Sequence, residues 1–511
     1  MRHIILLHHY IILSLFLSIQ LFGNDQEGYE QKIQTALAEH RYSDAVPLLT
    51  DAIAATPGNP HLHKKLGTCY EELEHYDAAL KSYFSALQQL QYDAELHTAI
   101  ARCYYHTYRD TDAIAHLDTA LEIQNNSAET HYWRALCYVH TGSLQSALRD
   151  LSRALDISPH FSDAYLARCK LHESAGNLQE AAADYAAVLA YDPISEEALL
   201  NRARIYLAQN DFQAALTDLN TLIAHHPNNT LALLERAALM AKNYQYTHAF
   251  ADYSQALSLN PSLEEGFLRR GMLYQHRRNY QAACADFSRT LELNPQSAAA
   301  YLNRADCYRR IKQLDKAYAD YAALTVLLPE NTADFSLIRG DIALALGDIN
   351  RAVSDFNTAL ETGTPYGSLH IKLARAYRFK DNFREAEHHY EKALMLSPAI
   401  PAYYVELGKL YLDQGNVSKA QQCFLQALKL DVWNPEANTY TALLLTRLGS
   451  ANLAEDYFAN ALRFNPTFSA AYFYRAIAFI EQYDAQKTFG DLLRSSYTVS
   501  PSYRHEQPFS R

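Results

Sequence analysis

Two apolar stripes recur along this chain, each with the i, i+3, i+4, i+7 spacing of an amphipathic α-helix. In units of 34 residues, large side chains at positions 4, 7 and 11 mark a first helix. Positions 20, 24 and 27 mark a second. Small residues occupy position 8 in nearly every unit, as at Gly67, Ala101, Ala135, Cys169, Gly271, Gly340 and Gly408. Position 24 is bulky, for instance Tyr83, Leu117, Tyr185, Phe287, Phe356 and Phe424. The small residue admits the large one, so the two helices of a unit pack closely. Proline often follows the second helix at position 32 (Pro57, Pro159, Pro193, Pro227, Pro261, Pro295, Pro329, Pro398, Pro466), where it stops the helix and resets the chain. Gly142, Gly176, Gly347, Gly415 and Gly449, or Asn and Asp, fill the turn within a unit.

Position 20 sets the phase. Alanine stands there at 45, 79, 113, 147, 181, 215, 249, 283 and 317, then, after one inserted residue, at 352, 386, 420 and 454. A period this regular means a stack of one supersecondary unit, a solenoid. The pattern resembles the tetratricopeptide repeat family, with thirteen full units at 26–331 and 333–468 and a fourteenth at 469–500 that keeps its first helix (Tyr472, Arg475, Ala476, Phe479). The resemblance implies an all-α, right-handed superhelical solenoid of antiparallel helix pairs. Repeats 1–10 would occupy residues 26–366 and repeats 11–14 residues 367–500, with a tail at 501–511. The loop 361–367, holding Gly363 and Gly367, is the candidate hinge between them.

Eight units pair arginine at position 7 with aspartate at position 23: Arg134/Asp150, Arg168/Asp184, Arg202/Asp218, Arg236/Asp252, Arg270/Asp286, Arg304/Asp320, Arg339/Asp355 and Arg475/Asp491. The other six units have neither residue at its place. Joint presence and absence predicts structural ion pairs between the helices; a ladder of binding charges is the rival reading. In the resembled family, positions 2, 5, 9, 12 and 13 of the first helix line an inner groove. Here they carry an apolar stripe at position 5 (Leu166, Leu200, Leu234, Leu268, Leu302, Leu337, Ile371, Val405) and a later basic group: Arg309, Arg310, Arg375, Arg378 and Lys409. These residues are the candidate partner-binding groove, suited to an acidic or carboxylate-bearing segment. The carboxylate clamp of chaperone-binding relatives needs lysine at position 5 and asparagine at position 9. Lys64 fits and Thr68 does not.

Composition narrows the function. The array leaves no room for a catalytic domain, and no phosphate loop, nucleophile elbow or zinc-protease helix occurs, so no catalysis and no cofactor are expected. A net charge of −12 argues against nucleic acid. His388 and His389 after Glu385 and Glu387, and the pairs His61/His63 and His225/His226, read as solvated residues rather than metal ligands. Of the seven cysteines, Cys69, Cys103, Cys137 and Cys307 share position 10. Equivalent points on stacked helices lie about 10 Å apart, beyond the roughly 7 Å a disulfide allows between α-carbons. The cysteines therefore read as small core residues.

At the N-terminus, Arg2 and His3 precede an apolar run, Ile11 to Phe22, as in a secretory signal peptide spanning residues 1–23; an uncleaved inner-membrane anchor is the rival reading. The expectation is an exported, periplasmic scaffold that binds a protein or peptide segment in its groove and touches membrane only through an uncleaved N-terminus. The alternative is an envelope-assembly accessory binding polysaccharide or peptidoglycan, with few groove aromatics (Tyr105, Tyr132, Phe379) to support it.

Overall fold

A computed structural model describes residues 30–363, 365–481 and 491. The N-terminal apolar segment, the second helix of repeat 14 apart from Asp491, and the C-terminal tail lie outside them. The described residues are α-helical throughout, with one 3-10 turn at Pro329–Asn331 and no strand. Helices alternate as the periodicity predicts: Pro60–Glu72 with Tyr76–Leu87, Ala94–His106 with Asp110–Ile123, and so on to Pro435–Arg447 with Ala451–Phe464. Connections of three residues, or two in repeat 10 (Gly347 and Asp348), make each pair antiparallel.

The phase-setting positions are the core. All thirteen position-20 alanines are at most 1% exposed, and the position-24 side chains from Leu49 to Phe458 at most 3%. Where position 8 is glycine, position 24 is aromatic, and the contact explains why. A Cβ on Gly340 would lie 2.4 Å from the Phe356 ring, and one on Gly408 2.4 Å from Phe424. With alanine at position 8 the partner is the shorter Leu117, Leu151 or Leu219 in repeats 3, 4 and 6, and an aromatic ring, Tyr253, Tyr321, Tyr390 or Phe458, in repeats 7, 9, 11 and 13. Burial of one such side chain contributes about 2–3 kcal/mol.

The turn within each pair uses one left-handed residue at position 15. Glycine holds it at Gly142, Gly176, Gly347, Gly415 and Gly449, with φ between 71° and 80°. His40, Glu74, Tyr108, Asn210, Tyr244, Arg278, Lys312 and Asp381 take the same conformation, φ 55° to 63°, despite a Cβ. The sequence-based expectation of Gly, Asn or Asp thus fails at six turns. Helix packing on both sides imposes the left-handed residue whatever its type.

The inserted residue lengthens one helix. The first helix of repeat 10, Thr332–Leu346, has 15 residues where its equivalents have 13. The chain divides into two compact units, residues up to Leu259 and from Asn260 onward, so the division falls between repeats 7 and 8. Each unit has overlapping clusters in place of one core. In the first, a cluster runs from Ala79 to Cys137. In the second, Phe356, Ala359, Leu369 and Leu373 share a cluster, so the core continues across the 361–367 loop proposed as the hinge.

Candidate partner-binding groove

The arginine at position 7 acts as a clamp. In seven of its eight occurrences, Nε and Nη2 donate to the two carboxylate oxygens of the position-23 aspartate at 2.6–2.9 Å. Such two-pronged pairing fixes geometry as well as charge. The remaining nitrogen, Nη1, reaches position 25 of the preceding repeat: Asp118 for Arg134, Ser152 for Arg168, Asn220 for Arg236 and Ser288 for Arg304. One side chain thereby ties three helices together.

Burial sets the aspartates of these expected structural ion pairs apart from the groove. Asp184 is 5% exposed, Asp218 4%, Asp286 6% and Asp320 4%, and Asp150, Asp252, Asp355 and Asp491 fall in the same 3–6% range. Both oxygens of Asp184, Asp218, Asp286 and Asp320 are taken up by Arg168, Arg202, Arg270 and Arg304. None of these carboxylates is open to a partner. They are interior contacts between helices and form no part of a binding surface. Burial alone would push Asp150 up, yet hydrogen bonds from Arg134 and His131 hold its carboxyl below the usual range.

Repeat 10, which carries the inserted residue, departs from the rule. Arg339 meets Asp355 through Nη2 alone at 2.6 Å and donates also to the Tyr318 hydroxyl. Its Nε and the Asp355 Oδ2 are buried without partners, and burial raises the Asp355 carboxyl.

Groove-face positions 9, 12 and 13 gather in repeats 8–10 around a groove of about 700 Å³, lined by Gln275, Asp306, Arg309, Arg310, Asp341 and Ala345 among others. Tyr321 donates to Asp306 at 2.8 Å, and Arg309 bridges Asp306 at 3.3 Å and the Tyr321 hydroxyl at 3.4 Å. Asp341 is held by Lys372. Arg310 stands exposed, and Leu302 on the same helix is 40% exposed. The wall therefore offers one open cation beside neutralised charge, and Leu302, on the same helix, is an open apolar side chain outside that lining.

With the geometry in view, two family models match. One described as "Tetratricopeptide repeat" covers residues 268–332, 371–431 and 405–467. One described as "Tetratricopeptide repeat protein 21 N-terminal ARM repeat" covers residues 37–250. The chain belongs to the tetratricopeptide repeat (TPR) family. Its fold is the all-α TPR solenoid. Among solved structures it is similar to the C-terminal part of a TPR repeat-containing protein from Cytophaga hutchinsonii, at TM-score 0.41 and 16% identity over 46% of this chain and 97% of that one. It is also similar to the APC/C hetero-tetramer Cut9-Hcn1, at TM-score 0.32 and 18% identity over 87% and 95%. A third, YrrB, titled a TPR protein with an unusual peptide-binding site, gives 0.32 and 22% over 37% and 97%. No curated protein matches the sequence.

In this TPR chain the basic group expected to face a partner is largely committed to the protein itself. Lys409 is 5% exposed, bonded at 3.3 Å to both Glu406 and Glu436. Arg375 also bonds Glu406 at 3.0 Å, and Arg378 bonds Asp413. Glu406 is buried, but Lys409 and Arg375 hold its carboxyl at about 2. The apolar stripe is corrected too. Leu234 is 1% exposed and Leu268 packs beside Phe287, which leaves Leu302 as the open one of those three.

A rule linking neighbours explains this. Position 9 of one repeat pairs with position 2 or 6 of the next: Arg102 with Glu129, Lys170 with Glu197, Arg204 with Glu235, Asp341 with Lys372, Arg375 with Glu406 and Lys409 with Glu436. Sequence reasoning compared equivalent positions and missed pairs offset by 27–31 residues. One histidine expectation also changes. His389 is buried, its Nδ1 2.9 Å from that of His370. His97 and His116 repeat the arrangement at 3.0 Å, at the same positions 4 and 23. Both repeats lack the arginine clamp. The aromatics Tyr105 and Tyr132 both pack on Trp133, with ring centroids 5.4 and 5.5 Å from it.

Proposed function

We propose that this protein is an exported scaffold that holds an extended or helical segment of a partner protein against the first helices of repeats 8–10, without catalysis of its own. A TPR fold is in general a non-catalytic interaction scaffold. The observation that carries the reading is the first helix of repeat 9, where Arg310 in the groove lining and Leu302 on the same helix remain open while the surrounding charges are satisfied internally. An open cation beside an open apolar side chain suits a segment presenting a carboxylate next to an apolar residue.

Photo-crosslinking in the source cell tests this. A reactive side chain at 302 or 310 should capture one discrete protein. The same group at Val326 or Met395, exposed on second helices, should not. Equal capture from all four sites contradicts the reading. Export rests on residues 1–23 and is tested by the mass of the native protein. A soluble cytosolic species beginning at Met1 contradicts it.

A second reading, polysaccharide or peptidoglycan binding, draws on the cluster of Tyr105, Trp133 and Tyr132 in repeats 3 and 4, where His140 stacks on Tyr105 at 4.6 Å. Quenching of Trp133 fluorescence by soluble peptidoglycan fragments supports it, and its absence at saturating fragment counts against it.

A further inference from the structure

The seven cysteines are all reduced, and six are buried. Burial pushes most of these thiols up: Cys69 and Cys423 to about 11, Cys103 and Cys137 to about 12. Cys284 and Cys307 differ because they meet each other. Cys284 lies on the second helix of repeat 8, Tyr280–Leu293, and Cys307 on the first helix of repeat 9, Ala298–Arg310. These helices pack together, and the two side chains share one small cluster with Ala283 and Phe287. The two thiols neighbour each other in that cluster and influence each other's ionisation. Cys307 is fully buried and Cys284 is 7% exposed.

The surroundings separate the roles. The neighbouring Cys307 thiol, together with the positive charges of Arg304 and Lys316, draws Cys284 toward the thiolate and outweighs its burial. Cys307, fully buried beside it, is pushed the other way. The Ser288 hydroxyl donates to the Cys284 carbonyl at 2.7 Å and accepts from Arg304 at 2.9 Å, so the arginine clamp of repeat 9 fixes the backbone on which Cys284 sits.

We propose that Cys284 and Cys307 are a redox modification site, a reversible disulfide that staples repeat 8 to repeat 9. The oxidant is a small or protein disulfide. The Cys284 thiolate attacks one sulfur of that disulfide, forming a mixed disulfide and expelling one thiolate. The expelled thiolate takes the Cys307 proton, the Cys307 sulfur attacks Cys284 Sγ, and the second thiolate leaves. Two protein thiols are oxidised to one disulfide, and one external disulfide is reduced to two thiols. Cys284, the more exposed and more ionised sulfur, is the entry point, and Cys307 resolves. The staple bears on the groove. Tyr280, on the helix of Cys284, and Asp306, Arg309 and Arg310, on the helix of Cys307, all line it. Oxidation therefore fixes the spacing of its two walls.

The test uses the full chain with oxidised glutathione as the probe, followed by acid quench, alkylation, trypsin digestion without reduction and mass spectrometry. The expected product joins residues 279–289 to residues 305–309, with a loss of about 2 Da from the two thiols that a reductant reverses. Cys307→Ser should stop at a glutathione adduct on Cys284, and Cys284→Ser should carry no adduct at 307. Circular dichroism confirms that each serine variant keeps its helicity. The proposal is overturned if the folded protein yields no 284–307 linkage at any glutathione ratio. It is also overturned if Cys284 links to another cysteine instead, or if Cys307→Ser collects no glutathione.

Discussion

Replacing Arg236 with leucine removes a clamp and leaves its partner stranded. Asp252 is 6% exposed and receives Arg236 Nε and Nη2, both at 2.8 Å, while Nη1 bonds Asn220 Oδ1 at 2.9 Å. A buried carboxylate deprived of its partner costs about 3–5 kcal/mol. The Arg236 side chain is 21% exposed, so water can reach the vacated site, and the expected loss falls to about 2–4 kcal/mol. The reverse change is milder. Asp252→Leu leaves an arginine that keeps Asn220 and can turn to solvent, at a cost of about 1–2 kcal/mol. The double variant Arg236→Leu/Asp252→Leu removes both charges from a site whose counterparts in repeats 11 and 12 already hold Leu373 and Leu407, at most 6% exposed. It should lie within about 1 kcal/mol of the wild type. Native-state hydrogen exchange of the second helix of repeat 7, Tyr246–Leu259, reads the local opening free energy, with urea unfolding as the global check. Strictly additive losses in the double variant refute the clamp.

Three further outcomes follow from the packing. Gly340→Ala should destabilise by about 1–2 kcal/mol in urea, because the clash with Phe356 outweighs the gain in helix propensity. Phe356→Leu in the same chain should recover most of the loss, and a neutral single variant would refute the close approach. Tyr244→Gly, at a 78% exposed left-handed turn with φ 63°, should stabilise by about 0.5–1 kcal/mol, and a lower urea midpoint would show the turn unstrained. Burial first, then the charges of His370, His388 and Lys392, depress His389 to about 4, and His370 is lowered too. The fold excludes protons that the unfolded chain accepts, so this stability is complete above about pH 6.5 and drains away as pH falls toward 4, on the order of 3 kcal/mol in all. His370→Leu/His389→Leu should flatten that slope; an unchanged slope places the acid sensitivity elsewhere.

The repeat itself was legible because one residue type at one position cannot be spared. A larger side chain at any position-20 alanine, all at most 1% exposed, would hold the helix pair apart. The arginine–aspartate pairs were legible for a related reason, since both members vary together within one repeat. Their burial was not, because the sequence places Asp184 or Asp320 beside the packing face without saying how far the arginine covers it. The groove was read less well. Lys409 and Arg375 occupy lining positions, but their carboxylates belong to the following repeat, and a comparison of equivalent positions hides that offset. The left-handed turns at Tyr108, Tyr244 and Arg278 were hidden because packing, rather than residue type, imposes them. Cys284 and Cys307 escaped notice because only like positions were compared, whereas positions 21 and 10 of successive repeats are the ones that meet.

The most direct test of the scaffold reading is an affinity. The segment captured at residue 302 or 310 is synthesised as a peptide and titrated against the wild type, Leu302→Asp and Arg310→Glu by calorimetry, with Val326→Asp as the second-helix control. Both groove changes lie on an exposed face, so melting should be unaltered, while each weakens binding at least about tenfold, the loss of one central contact worth about 1.4 kcal/mol. The control should bind as the wild type does. Equal affinity in all four proteins would contradict the account and move the binding surface away from repeats 8–10.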